Sequence, residues 1–202
     1  MSKKKNYLGI DGGASKLLVQ SIKIEENSKY AFMGDYYQEI SYNSFQGWDN
    51  SFKPIKINTQ KIISKKKKID IPRRENNLGN IIINIIAKCY HNAIENIGPV
   101  SGVGLCFPGI KTSNMAGTII MANGPRIPDL CQRLLEKKVP INVLYNDSDC
   151  CVIGEMLWED GSLKNVDHAI YIGGGTGIAD GLIINGQVVY FNLDSNLKKS
   201  WE

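Results

Sequence analysis

The sequence predicts an α/β fold with mixed sheets, and three features of its pattern indicate this. Strand and helix patterns alternate through the second half of the chain. Apolar runs joined by short turns, which are typical of hairpins, open both halves. Asn185-Gly186, a strong turn signal, separates two further apolar runs. Strands alternating with helices favour parallel pairing and hairpins favour antiparallel pairing, so both kinds of pair are expected in the sheets.

The chain opens with predicted strands. Residues 7–10 and 17–24 are apolar runs joined by Gly12-Gly13, and a third strand is expected between residues 30 and 40. Residues 41–76 are polar and rich in lysine, above all within 56–74. For this stretch we expect a long hairpin or a lysine-rich insertion on the surface, near residues 45–75.

A helix is expected next, because nine apolar residues recur at helical spacing. They are Leu78, Ile81, Ile82, Ile85, Ile86, Cys89, Ala93, Ile94 and Ile97. Gly98-Pro99 then ends the helix, with the glycine as a left-handed cap.

Strands and helices alternate over the remaining residues. Strands are expected at 100–107, 117–122, 141–145 and 168–172, followed by a hairpin of 181–185 with 187–191. Helices are expected at 129–138, with Leu130, Leu134 and Leu135 inward, and at about 149–159. Glycine and proline cluster within 110–125, where we expect a lobe boundary. This gives a first lobe of residues 1–120 and the start of a second lobe at 121–202.

Composition narrows the classes of function. The chain has 202 residues, 43% hydrophobic, and a net charge of only +4, which is weak evidence for a nucleic-acid partner. No segment has the apolar length of a membrane span, and Asp11-Gly12-Gly13 interrupts the apolar run that a signal peptide would need. We therefore expect a cytoplasmic protein. Five cysteines without a C-x-x-C pair, and two histidines, predict neither a disulfide framework nor a zinc site.

Two strand–turn–strand loops carry glycines in a pattern that suits phosphate binding. We call residues 11–16 the first glycine loop and residues 173–177 the second glycine loop. Glycine lets a tight turn direct backbone N–H groups at an anion, and nearby hydroxyl and ammonium groups add donors. The candidate phosphate ligands are Asp11, Gly12, Gly13, Ser15, Lys16, Gly174, Gly175, Thr176 and Gly177. One such loop alone is more often an ordinary turn, but two together favour phosphate binding.

Asp11 adds a carboxylate to the first glycine loop. Bound phosphates would repel it unless a divalent cation lay between them, so Asp11 predicts Mg²⁺, held through water. Neither loop has the G-x-x-x-x-G-K-S/T pattern, and neither precedes a helix as a dinucleotide-binding loop does.

Two further sites have a chemical and a structural interpretation. Asn146-Asp147-Ser148 follows a predicted strand, where Asp147 could accept a proton from a substrate hydroxyl. Spacing alone favours the simpler interpretation that Asp147 or Ser148 caps the next helix. The amide of Asn123, in Asn123-Gly124-Pro125, could hold sugar hydroxyls, although a turn-forming role is the commoner one.

Taken together, the motifs resemble the ROK group of sugar kinases, within the actin, hexokinase and Hsp70 ATPase superfamily. Five segments carry the resemblance in order: LGIDGGASK at 8–16, GVGLCFPG at 102–109, MANG at 121–124, NDSDCCVIGE at 146–155 and GTGIADGLIING at 175–186. It implies an actin-like (ribonuclease H-like) ATPase fold of two lobes, the second incomplete in this chain. It also implies ATP and Mg²⁺ as cofactors, a hexose or related hydroxyl compound as acceptor, Asp147 as the base, and Asn123 and Asn146 as sugar ligands.

The sequence departs from the family pattern in several places. Ala179 and Asp180 replace glycines of the second glycine loop segment, and Cys150 and Cys151 stand where the family has alanines. The family's sugar-binding Glu and His, its zinc-binding cysteines and its adenosine segment do not follow in this chain. A non-catalytic sugar or nucleotide sensor, an inactive fragment and a BadF/BadG-type ATPase without a sugar acceptor are the alternatives. Neither nucleic acid nor membrane is expected as a partner, and a homodimer is left open.

Overall fold

The computed structural model describes residues 4–26, 28–66, 69–174 and 178–190. The strands are β1 Lys4–Gly12, β2 Lys16–Glu25, β3 Ala31–Ser41, β4 Gly102–Cys106, β5 Ile110–Lys111, β6 Thr118–Ile120, β7 Leu144–Tyr145, β8 Ala169–Gly174, β9 Ile178–Ile184 and β10 Gln187–Val189. The α-helices are α1 Ile57–Ile63, α2 Arg73–Ile97, α3 Leu130–Glu136 and α4 Asp147–Leu157, and Tyr42–Ser44 form a short 3-10 helix. None of the helices in these ranges has the length and apolarity to cross a bilayer.

The chain divides into two compact units. The larger unit comprises residues 6–22 and 33–145, and the smaller one the described residues within 1–5, 23–32 and 146–202. The lobe boundary expected near residue 120 stays a prediction.

The larger unit contains a five-stranded mixed sheet in the order β3-β2-β1-β4-β7. β1 pairs with β4 in parallel, with Asp11 opposite Cys106, and β4 pairs with β7 in parallel, with Cys106 opposite Tyr145. Only three residues join β1 to its neighbour β2, so that pair must be antiparallel. The carboxyl ends of β1, β4 and β7 therefore lie at one edge of the sheet, where ligands bind in open α/β sheets.

Helix α2 provides much of the core of the larger unit. Its apolar residues recur at i, i+3 and i+4 and are buried together with residues of the central strands. The buried set includes Leu8, Ile10, Leu17, Val19, Ile82, Ile83, Ile85, Ile86, Cys89, Ala93, Leu105 and Leu144. The helix begins at Arg73, five residues before the apolar pattern does, because Pro72 takes the N-cap position with φ −54°. It ends at Ile97, and the C-cap residue Gly98 has φ +76°.

The hairpin expected within residues 41–76 is wrong. The stretch instead forms the 3-10 helix, α1 and the first turn of α2. Tyr42, Gln60 and Glu75 are at most 3% exposed. The prediction assumed that polar residues in this stretch are solvated. Gln60 and Glu75 are instead buried, where they form hydrogen bonds with other segments.

Helix α3 is shorter than expected and differs in the face it buries. Leu130 and Leu134 are buried as predicted, but Leu135 is 46% exposed. Adjacent helical residues are rotated by about 100° around the axis, so Leu134 and Leu135 of this short helix need not face the same way. The strand expected at 141–145 is reduced to the two residues of β7.

The smaller unit contains the three-stranded sheet β10-β9-β8, whose neighbouring strands are antiparallel. Asn185 and Gly186 have φ of +52° and +70°, the positive pair that a tight hairpin turn requires. The hairpin predicted from Asn-Gly is confirmed. Helix α4 packs on β9 at Gly181, where any side chain would overlap Val152.

Candidate functional site

The first glycine loop is shaped by packing around Gly12. A Cβ atom on this buried glycine would lie 2.5 Å from Cδ2 of Phe107, the residue that follows β4. The N–H of Gly13 donates to the carbonyl oxygen of Lys16 at 2.9 Å and closes the turn. Neither Gly12 nor Gly13 has a positive φ. Gly12 is required because only a residue without a side chain fits beside the Phe107 ring.

Ser15 is fixed in this loop through its backbone. Its carbonyl oxygen accepts the N–H of Tyr42 at 2.9 Å. Tyr42 is completely buried, and its ring packs on Trp48 with centroids 5.1 Å apart. The 3-10 helix after β3 thus sets the position of the loop while the Ser15 side chain stays exposed.

Asp11 is the second-last residue of β1, and its side chain is exposed. Its Oδ1 accepts the thiol of Cys106 at 3.2 Å. An exposed carboxylate at the carboxyl edge of a parallel strand pair suits Mg²⁺ bound through water, since Mg²⁺ keeps several waters and needs few protein ligands. In the described ranges no three His, Cys, Asp or Glu side chains form a metal-binding group.

Lys16 is engaged elsewhere in this structure. Its exposed ammonium group donates to Oε2 of Glu39 at 3.0 Å. This hydrogen bond raises the pKa of Lys16 and lowers the pKa of Glu39. A role for Lys16 as a phosphate ligand stays a prediction and would compete with this ion pair.

A surface cavity of about 420 Å³ brings two of the predicted site residues together. Ser15 of the first glycine loop and Asn123, a predicted sugar ligand, both line it. We call it the Ser15–Asn123 cavity. Ala14, Gly124 and Pro125 complete these two sides.

The other wall of the cavity comes from residues 41–54, which supplied no predicted site residue. The lining side chains there are Ser41, Asn43, Trp48, Asp49, Asn50, Phe52, Lys53 and Pro54. Hydrogen bonds from Arg74 and Ser51 hold the pKa of Asp49 well below its usual range. The sequence did contain a signal for this wall, since Trp48 and Phe52 lie close to Asn43 and Asn50. Ligand sites typically combine apolar or aromatic side chains with a few polar groups.

Asn146 and Asp147 belong to the smaller unit. Asn146 occupies the N-cap position of α4 but makes no side-chain capping bond. Asp147 is the first residue of the helix, and its Oδ1 accepts the N–H of Ser148 at 3.0 Å. Neither Asp147 nor Ser148 is therefore the N-cap residue, so the predicted cap is wrong. The role of Asp147 as a base stays a prediction.

The second glycine loop lies only partly within the described residues. Gly174 ends β8, and a Cβ there would have no neighbour within 4 Å. Gly175, Thr176 and Gly177, the other predicted phosphate ligands of this loop, lie outside the described residues.

Among curated proteins the chain resembles a kinase. It is 34% identical over 131 residues to the N-acetyl-D-glucosamine kinase of Pectobacterium atrosepticum. The matched segment covers 61% of this chain and 40% of that protein. The chain therefore spans well under half the length of this relative.

Two solved structures share its fold. One is an inorganic polyphosphate/ATP-glucomannokinase from Arthrobacter sp. strain KM, with a TM-score of 0.60, 17% identity and coverage of 92% of this chain and 60% of that chain. The other is a ROK family glucokinase from Streptomyces griseus in complex with glucose and AMPPNP, with a TM-score of 0.58, 19% identity and coverage of 91% and 46%. The predicted actin-like ATPase fold with mixed sheets is thereby confirmed.

The family model described as ROK family matches residues 52–190, more than half of the chain. The match begins within the lysine-rich stretch and extends through the second glycine loop to β10. This chain belongs to the ROK family.

Proposed function

We propose that this chain takes part in an ATP-dependent phosphoryl transfer from the γ-phosphate of ATP to a hydroxyl group of a hexose or related sugar. The observation that carries the proposal is the cavity shared by Ser15 and Asn123. A phosphate-binding loop and an acceptor ligand must be neighbours in a kinase, since the two substrates react only when their atoms are close. The names of the kinase relatives support the same reaction.

The residues divide between the two substrates. Backbone N–H groups of the first glycine loop, with the Ser15 hydroxyl, would hold phosphate oxygens, and Asp11 would hold Mg²⁺ through water. The ion, when bound, neutralises phosphate charge. Gly174 and the remaining residues of the second glycine loop are the other proposed phosphate ligands.

The acceptor would bind beside Asn123, with Asn146 as a further ligand. Phosphoryl transfer needs positioning, charge neutralisation and a group that takes the acceptor proton. Asp147 is the proposed base, since a carboxylate can accept the hydroxyl proton as the phosphoryl group transfers. ATP as a substrate agrees with the cytoplasmic location expected from the sequence, and homodimer formation stays open.

The test is the substitution Asp147→Asn, which keeps the size of the side chain and removes the base. We expect ADP release with N-acetylglucosamine or glucose to fall at least about 100-fold, the usual range for a lost general base. Binding of Mg-ATP, measured by calorimetry, should stay within about twofold. Asp160→Asn is the matched control, because Asp160 is an exposed aspartate of the same unit outside the predicted site.

Two outcomes would contradict the proposal. Turnover retained in Asp147→Asn would remove Asp147 from the catalytic role. An unaltered chain that binds either sugar but releases no ADP would support a sensor instead.

A further inference from the structure

A buried glutamine holds one end of the loop that carries Asn123. We call residues 121–126 the Asn123 loop. Gln60 of α1 is 1% exposed, and its side-chain amide pairs with both backbone groups of Met121. Its Oε1 accepts the Met121 N–H at 2.8 Å, and its Nε2 donates to the Met121 carbonyl at 2.9 Å and to the Ile55 carbonyl at 2.7 Å. The side chain thus continues the backbone pairing just beyond β6, as a neighbouring strand would.

A buried ion pair holds the other end. Glu75, in the first turn of α2, accepts the backbone N–H of Arg126 at 2.8 Å and its Nε–H at 2.9 Å through Oε1. Its Oε2 accepts Nη2–H of the same residue at 2.7 Å. The Glu75 and Arg126 side chains are 4% and 1% exposed. The four residues between the two attachments, including Asn123, are therefore fixed at both ends by side chains from α1 and α2.

The residue before Glu75 holds the opposite wall of the cavity. Nε of Arg74 donates to Oδ2 of Asp49 at 2.5 Å, and its Nη2 donates to Oγ of Ser51 at 2.7 Å. The guanidinium carbon also lies 5.9 Å from the centre of the Phe52 ring. Asp49 and Phe52 both line the Ser15–Asn123 cavity. Two consecutive residues of one helical turn are thus bonded to the two walls.

We propose that Gln60, Arg74 and Glu75 are positioning residues. They set the distance between the Asn123 loop and the wall of residues 41–54, and hence the affinity of the Ser15–Asn123 cavity for the acceptor sugar. The inference rests on the proposed function in placing the acceptor beside Asn123 in this cavity. Its physical basis is preorganisation, because a ligand that meets walls already in place loses less free energy to ordering them. Two residues of the polar stretch 56–74, Gln60 and Arg74, therefore support the site.

The experiment compares two variants of the 202-residue chain that break one contact set each. Gln60→Leu removes the three buried hydrogen bonds and keeps a side chain of similar volume. Arg74→Gln removes an exposed guanidinium, so the variant should fold even if Gln60→Leu is unstable. The matched controls are Ser21→Ala, which removes a buried hydroxyl bonded to Tyr36, and Arg133→Gln, which removes the Asp129 ion pair.

Hydrogen exchange is the first readout and needs no ligand. We expect amides within 118–127 to exchange at least about fivefold faster in Gln60→Leu, and amides within 47–54 to do so in Arg74→Gln, since a typical hydrogen bond is worth about that factor. Both controls should exchange in these segments as the unaltered chain does. Unchanged exchange in both test variants would overturn the inference.

The second readout is calorimetric binding of N-acetylglucosamine, glucose and Mg-ATP. Each test variant should weaken sugar binding about fivefold and leave Mg-ATP binding within twofold, whereas general destabilisation would weaken both. Equal loss for both ligands, or no loss of sugar binding, overturns the positioning role. If the unaltered chain binds neither sugar, the proposed acceptor site fails. Hydrogen exchange then tests the positioning role by itself. Faster exchange in the test variants supports this role, and unchanged exchange overturns it.

Discussion

The hydroxyl of Tyr42 is a buried polar group for which no hydrogen-bond partner exists in the described part of the chain. Burial, which disfavours the phenolate, raises the pKa of this side chain strongly. An unsatisfied buried hydroxyl costs about 1–3 kcal/mol of stability. We therefore predict that Tyr42→Phe raises the free energy of unfolding by about 1 kcal/mol, measured by urea denaturation.

Tyr36→Phe is the matched control for this prediction. The Tyr36 hydroxyl donates to Oε1 of Gln38 at 2.9 Å, so the same substitution there removes a real hydrogen bond. It should be neutral or destabilise by up to about 1.5 kcal/mol. A loss of stability in Tyr42→Phe would contradict the prediction and would show that the Tyr42 hydroxyl is bonded, for instance to a buried water.

At the scale of single elements, the turn between β9 and β10 depends on one glycine. Gly186 has φ +70°, a conformation that favours glycine because other residues bring a Cβ too close to the backbone. We predict that Gly186→Ala lowers the free energy of unfolding by about 1 kcal/mol or more, measured by chemical denaturation.

The control lies in α4 of the same unit. A Cβ at Gly154 would meet nothing within 4 Å, and the residue is helical. Gly154→Ala should therefore stabilise by about 0.5–1 kcal/mol, the helical preference of alanine over glycine. A stability change of the same sign in both variants would contradict the assignment of strain to the turn.

The elements that could be predicted from the sequence are those with a periodic apolar pattern or a strong turn signal. Helix α2 was predicted from its 3.6-residue spacing, and the β9–β10 hairpin from Asn185-Gly186. Helix α1 was missed because it is only seven residues long and buries Gln60 through hydrogen bonds. Periodicity reports apolar burial, so a helix held by a polar side chain leaves little trace in it.

At the scale of the whole molecule, the site was predictable where chain order determines position. Asp11 and Cys106 lie at the ends of neighbouring parallel strands, and such ends meet at one edge of the sheet. The wall around Trp48 and Phe52 was not predictable in this way, because its place depends on the long-range bonds of Arg74. A sequence pattern carries local preferences but does not specify which distant residues meet.

Nucleotide binding is the property to test on the whole chain, because the chain belongs to a family with kinase members but spans only part of its relatives' length. The match covers 40% of the N-acetyl-D-glucosamine kinase of Pectobacterium atrosepticum, so binding should be tested separately from turnover. A ligand that binds only the folded state raises its stability, by about 2.7 kcal/mol at a hundredfold excess over Kd. For a chain of this size we predict that Mg-ATP at that excess raises Tm by about 5–10 °C.

Thermal melting with ATP also tests whether Asp11 holds Mg²⁺. If its exposed carboxylate holds Mg²⁺ beside the phosphates, ATP with a chelator should give a much smaller rise in Tm than Mg-ATP, since the phosphate charge would then repel the carboxylate. Asp11→Asn should remove that repulsion together with the ion, so its rise in Tm should depend little on Mg²⁺. Asp70→Asn, at an exposed aspartate of the same unit, is the control and should keep the full dependence. Equal shifts with and without Mg²⁺ in the unaltered chain would remove Asp11 as a metal ligand. No shift at any ATP concentration would show that the larger and smaller units of this chain do not bind the nucleotide by themselves.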